Sequence, residues 1–311
     1  MLDQSFSTKN FKEIFDGENR KGKNLEKKFN GDFLESIRVI NDLKITRKDI
    51  LRTTDSDEKK ALYKRKGELK KLRELKVFEI LDAKTERINS HKVLLNSGSI
   101  HGKQCFIFEE KVENFFISKK IQDNINKTYD VKQSSRYAIL SNLVNILEDK
   151  FPKYVIRTDI KDFYESIPQK KLLNKINDDH LLSVKSKDFI NQIFDSYNVL
   201  TNQSNDESPK GVPRGIGVSA YLSELFMRRI DNQIKELRDL VFYARYVDDI
   251  IAVFIPRSKN NEYYKEYLKS IKKIIKEKAG DDFIINDKKT KEYNLLNGIN
   301  YIKIEEKYYL D

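Results

Sequence analysis

The stretch YARYVDDIIAVF, residues 243–254, limits the fold more than any other part of this sequence. Two runs rich in aromatic and β-branched residues flank the adjacent acids Asp248 and Asp249, so the segment reads as a β-hairpin with an acidic tip. Side chains alternate faces along a strand, and neighbouring ionised carboxylates repel, so the pair is ill suited to a core. Either it is a solvated turn or it holds something positive.

The order of segments around the hairpin narrows the choice. KYVIRTDI (153–160) is β-branched and carries Asp159 near its end, and VSAYLSELFMRRIDNQIKEL (218–237) has helical spacing. After the hairpin strands LVFYARY and IIAVFI comes NEYYKEYLKSIKKIIKEKA, whose Tyr264, Leu268, Ile271 and Ile275 share one helix face, and then a short strand DFIIN (282–286). The pattern β, helix, β-hairpin, helix, β predicts an α+β fold: an antiparallel sheet of the split βαβ class with helices on one face. On such a sheet the end of the first strand and the hairpin tip lie side by side, which brings Asp159 next to Asp248 and Asp249. Cations make that convergence tolerable.

Composition points the same way. Of 311 residues, 39% are hydrophobic, enough for a sizeable core, and 60 Lys and Arg against 49 Asp and Glu leave a formal charge of +11. Such a surplus favours a polyanion, nucleic acid ahead of a membrane surface. No apolar run reaches spanning length, and the opening MLDQSFSTKNFKEIF lacks a signal-peptide core. Cys105 stands alone, and His91, His101 and His180 have no metal-ligand spacing, so a cytoplasmic protein is expected. The first half reads as helical. Its segment 59–76 carries nine basic residues against two acids, with Leu62, Leu69, Leu72 and Leu75 at helical intervals, and reads as a solvated face over a packed stripe. TNQSNDESPKG (201–211) is a loop.

RTDIKDFYESI (157–167), GVPRGIGVSAYLSE (211–224) and YVDD (246–249) resemble motifs A, B and C of reverse transcriptases, in that family's order. Each alone is weak, because a bare Asp-Asp is more often a surface turn; the ordered set, on strands and helices where the family has them, is specific. The resemblance spans about residues 100–304. It implies a basic helical region over 1–99, fingers over 100–152, and a palm over 153–294 that leaves room for an insertion within 165–211. It also implies a primer-grip hairpin from INYIKIEEKYY within 295–311. A full thumb is not expected, since few residues remain before Asp311. Extended contact with nucleic acid is then expected from the basic N-terminal half, a bound RNA or another protein chain.

The activity implied is that of an RNA-directed DNA polymerase, which takes an RNA template and dNTP and yields DNA. Phosphoryl transfer needs its reactants in line and its charge neutralised, a task for two Mg²⁺ ions about 3.5–4 Å apart, with Mn²⁺ as a substitute. Hard oxygen ligands suit them. The resemblance makes Asp159 and Asp248 the bridging pair, Asp249 a less direct member of the cluster, and the Ile160 backbone carbonyl a further ligand. Tyr164 stands where the family places an aromatic gate against a 2′-hydroxyl, while Phe163 packs beneath the sheet. Motif B departs from the common pattern: Arg214 replaces a frequent Gln, and Ala220 a frequent Pro. Arg214 is either a phosphate or nucleotide partner or an ordinary loop charge, and Gly211, Gly215 and Gly217 permit close approach of nucleotide or template. INDKKTKEYN (285–294) resembles motif D, with Lys289 as general acid to pyrophosphate through a modestly lowered pKa and Lys288 or Lys291 as alternative registers. Arg136, in KQSSRYAIL, is the expected triphosphate-binding residue of the fingers.

The opening DQSFSTKNFKEIFDGENRKG is similar to the first of the paired enzymes in bacterial type III defence-associated reverse transcriptase systems, which resist phage. That similarity implies a second reverse transcriptase and a structured non-coding RNA as partners, with no membrane. Two other readings stay open on sequence: an untemplated or protein-primed nucleotidyltransferase on the same palm, and a non-catalytic nucleic-acid-binding scaffold.

Overall fold

The structure, a computed structural model, describes residues 2–100, 102–148, 151–257 and 264–295. The expected primer-grip segment, 299–309, lies outside them. No helix among the described residues is long and apolar enough to cross a membrane.

The N-terminal half is helical. Helix α1 (Thr8–Arg20) begins where the Ser7 side chain accepts from the Asn10 N–H, and α2 (Leu25–Lys28) is a single turn. Helices α3 (Leu34–Arg52) and α4 (Ser56–Glu86) fold back on each other, with Asp55 capping α4 by accepting from Asp57 and Glu58. The opening segment belongs to the core: Phe6, Phe11 and Phe15 are buried, and Phe11 stacks on Phe116 of α5 (Val112–Tyr129) at 5.1 Å. In α4 the four-leucine stripe does not hold. Leu62 and Leu69 are half-buried, but Leu72 and Leu75 are exposed, because this long helix runs past the core and is anchored in it by Val77, Ile80 and Leu81.

A hairpin of β1 (Leu95–Ile100) and β2 (Lys103–Phe108) precedes α5, and α6 (Arg136–Glu148) follows it. Next come β3 (Lys153–Asp159), α7 (Phe163–Ser166), α8 (Gln169–Asp178), α9 (Val184–Leu200) and α10 (Gly217–Lys235). Then β4 (Leu240–Tyr246) and β5 (Asp249–Phe254) form the hairpin read from the sequence, followed by α11 (Lys265–Ala279) and β6 (Lys291–Leu295). These four strands make one sheet in the order β4-β5-β3-β6, with every neighbouring pair antiparallel. The chain is thus a mixed α+β protein with antiparallel sheets and a helical N-terminal half.

Two expectations need correction. DFIIN is not the last strand: it contributes one bridge, Ile285 to Ile160, and the strand is formed by the polar KEYNL of β6. Phe283 and Ile285 are apolar because they fill the core beneath the strand end. Nor are the helices confined to one face. Tyr154, Ile156, Ala252 and Phe254 face the main core with α10 and α11, but on the other face α6 lays Leu143 against Val155 and Val253.

Candidate active site

β3 delivers Asp159 at its last position, 4% exposed, and the β3–β5 register sets it opposite Asp249. The Ile160 N–H donates to the Asp248 carbonyl at 3.1 Å, which ties the strand end to the hairpin tip. Asp159 Oδ2 accepts from Lys289 Nζ at 2.6 Å, while Oδ1 is buried with no hydrogen-bond partner. A buried carboxylate oxygen without a donor is costly. Such a hard anionic oxygen fits a divalent cation. Asp248 is half-buried, and burial, reinforced by Asp249 and Asp159, raises its pKa above the usual carboxylate value. Among the described residues no three acidic, His or Cys side chains are gathered closely enough to enclose an ion. The backbone brings the three acids to one corner, and enclosing a cation there requires their side chains to turn inward.

Lys289 lies in a turn fastened to β3, since the Thr290 and Thr158 hydroxyls are 2.7 Å apart and Thr290 also donates to the Asn286 carbonyl. That turn aims Lys289 at the acids. Its pKa is not lowered as a general acid would want: the hydrogen bond to Asp159, and then the charge of Asp159, raise it.

Arg245 was not singled out from the sequence, yet it holds the hairpin tip. Its side chain is 4% exposed, and its guanidinium donates to both Glu224 oxygens at 3.1 and 2.6 Å and to Asp231 at 2.9–3.2 Å. A further donation, 2.8 Å long, goes to the Val247 carbonyl. Burial opposes the charge, but Asp231 and Glu224 outweigh it and keep the group firmly protonated. Val247 has φ +59, a left-handed conformation that a β-branched residue rarely adopts. The Arg245 contact falls on that strained peptide, immediately before Asp248. The signal was present in the sequence: a lone arginine inside an apolar strand, and two acids seven residues apart on one face of α10.

Tyr164 and Arg214 form a second corner. The chain leaves β3 through Asp162 (φ +46) and enters the short helix α7 rather than staying extended, which buries Phe163 at 2% and leaves Tyr164 half-buried. Burial raises the Tyr164 hydroxyl pKa. Arg214 lies 5.6 Å from the Tyr164 ring centroid and 3.3 Å from Glu165, so it is neither free nor remote. The glycines do not leave gaps for nucleotide as expected. A Cβ at Gly211 (φ +91) would strike the Tyr197 hydroxyl, and one at Gly215 (φ +108) would meet the Phe106 carbonyl at 2.7 Å. Their close approaches are to the chain itself. The Arg214 carbonyl accepts from the Phe106 N–H at 2.7 Å, which docks this loop on β2.

Arg136, at the start of α6, lines a cleft with Leu140, Leu143, Arg157, Tyr246 and Asp249. It therefore shares a cleft with one acid of the corner, Asp249, on the sheet face that α6 covers.

No curated protein matches the chain. Among solved structures, telomerase from Candida albicans with a TWJ fragment of telomeric RNA is 12% identical at a TM-score of 0.41, covering 67% of this chain and 43% of that one. Apo telomerase from Candida tropicalis is 15% identical at 0.39, covering 65% and 43%. An RNA dependent RNA polymerase, vp4, with dsRNA is 11% identical at 0.39, covering 68% and 21%. The chain spans less than half the length of each. The family profile for "Reverse transcriptase (RNA-dependent DNA polymerase)" matches residues 108–305, well over half of the sequence. The chain belongs to the reverse transcriptase family.

Proposed function

We propose that this chain extends a 3′ end with deoxynucleotides on an RNA template, at the corner formed by Asp159, Asp248 and Asp249. The observation that carries the reading is the buried, partnerless Oδ1 of Asp159, held opposite Asp249 in the strand register. In this reading residues 153–294 form the palm, its sheet of the split βαβ class, and β1, β2, α5 and α6 belong to the fingers. Asp159, Asp248 and the Ile160 carbonyl would hold two Mg²⁺ ions, with Asp249 beside them. Divalent ions bound there supply charge neutralisation at the attacking hydroxyl and the departing pyrophosphate. The residues of the chain do the rest. Tyr164 bars a 2′-hydroxyl, Arg214 and Arg136 contact phosphate, Gly215 seats the loop that carries Arg214, and Lys289 gives a proton to pyrophosphate after leaving Asp159.

The test is incorporation of labelled dNTP on a primed RNA template by the wild type and by Asp248→Asn, together with sequencing of the nucleic acid that copurifies. Template-dependent product from the wild type alone supports the reading; product of fixed sequence without any template points to untemplated synthesis. A role in antiphage defence, with a second reverse transcriptase and a structured RNA as partners, is supported by the resemblance of residues 3–22. Phage plating on cells that carry the wild type or Asp248→Asn within its native locus tests it.

A further inference from the structure

The part of α4 that extends beyond the core has a lysine-rich side open to water. Lys66, Leu69, Arg73 and Lys76 are half-buried at steps of three and four, whereas Lys60, Lys64, Gly67, Lys71 and Leu75 are exposed on the opposite side. Lys60 pairs with Asp57 at 3.0 Å, with both groups open to water, a contact of small worth. Among the described residues Lys64, Arg65, Lys70 and Lys71 pair with no acid.

Gly67 lies at the centre of this basic side. A glycine inside a helix costs stability relative to alanine. Nothing among the described residues requires one here, because a Cβ at Gly67 would meet none of their atoms within 4 Å. The bare spot is ringed by Lys60, Lys64, Lys71 and Tyr63, which is 54% exposed, and the two exposed acids beside it, Glu68 and Glu74, are outnumbered by Lys60, Lys64, Lys70 and Lys71. From Lys60 to Lys71 the cations extend roughly 16 Å along the helix. Such a surface suits a closely approaching, densely charged backbone. It is not built to read bases: residues 56–86 contain no Asn or Gln, and Arg73 is committed to Glu26 at 2.5 Å.

We propose that the outer side of α4 around Gly67 is a docking surface for double-stranded RNA, independent of its sequence. The A-form minor groove is wide and shallow and lined with 2′-hydroxyls, so it admits a convex helix whose centre lacks a side chain. Helix carbonyls beside Gly67 retain a second lone pair for those hydroxyls, and the lysines reach the flanking phosphates. The surface uses no residue of the acidic corner and stands whether or not the polymerase reading does.

The experiment measures binding of the full chain, carrying Asp248→Asn to prevent synthesis, to an RNA duplex of about 16 base pairs over a series of salt concentrations. Replacing Lys64, Lys70 and Lys71 together by Gln is expected to raise Kd at least tenfold and to flatten the slope of log K against log salt by about two to three. Gly67→Ala should raise thermal stability, and Gly67→Leu should weaken RNA binding at least fivefold while unfolding no earlier than the wild type. Unchanged affinity in Gly67→Leu, or an unchanged salt slope in the triple variant, overturns the proposal. A DNA duplex of the same sequence serves as the second arm. Weaker binding to DNA supports the assignment to RNA, and equal binding overturns it.

Discussion

Lys289 Nζ and Asp159 Oδ2 are 2.6 Å apart, so the chain places its own cation against the most buried acid of the corner. A lysine in that position neutralises Asp159, and its hydrogen bond holds the proton that a general acid must give away. Lys289→Leu is therefore expected to lower the single-turnover rate by about a hundredfold with little change in dNTP affinity. Lys288→Leu and Lys291→Leu should stay near the wild type, and a comparable loss in either would move the role to that residue.

Asp248→Asn is expected to abolish incorporation and to leave the fold intact. The sign of its effect on stability follows from the raised pKa: the folded state binds the Asp248 proton more tightly than the unfolded chain does, so ionisation costs stability as pH rises from the ordinary aspartate value of 3.8. Asn does not ionise. In the absence of divalent ions the thermal midpoint of the variant should equal or exceed that of the wild type at neutral pH, and the gap should close in acid.

Tyr164→Val is expected to admit ribonucleotides. Deoxynucleotide use should fall less than discrimination, which should drop by at least about tenfold in competition assays. Because Arg214 lies over the Tyr164 ring, some loss of nucleotide affinity should accompany the change.

Removing the Arg245 guanidinium leaves Glu224 and Asp231 partly buried with one shared partner gone. Arg245→Met should destabilise the chain by about 3–5 kcal/mol in denaturant titrations. Arg245→Lys keeps the charge but loses the fork that spans two carboxylates and a carbonyl, so it should fold with a reduced rate of incorporation. Full activity in the lysine variant would show that the Val247 peptide needs no such hold.

Glu18 gives the N-terminal half an acid-sensitive joint. Burial pushes its pKa up, but Lys23 and Lys21 prevail and bring it from 4.5 down to about 2. A carboxylate depressed in this way stabilises the fold above its unfolded value and loses that contribution as pH falls toward the folded one. Thermal midpoints of the wild type and Glu18→Gln should differ at neutral pH and converge as pH drops from 4.5 to about 2.

The hairpin and Asp159 were legible because acids at the ends of apolar strands violate the expected pattern. β6 was not, because it is an edge strand with four exposed positions and backbone pairing to β3, which leaves no hydrophobic alternation to read. Leu72 and Leu75 misled in the opposite direction: helical spacing reports that a face exists, not that anything lies against it. The glycines of motif B show the same limit, since a sequence that demands a missing side chain does not say which neighbour fills the space.

Asp159 and Asp249 become neighbours only when β3 pairs with β5, strands separated by four helices and by β4. Closing so long a loop costs chain entropy that the pairing must repay. The charge on Asp248, disfavoured by burial and by its two neighbours, subtracts from that repayment. Asp248→Asn should therefore shift the ratio of folding to unfolding rates toward folding in the absence of divalent ions, so the charge that prepares the corner for cations also shortens the life of the chain without them.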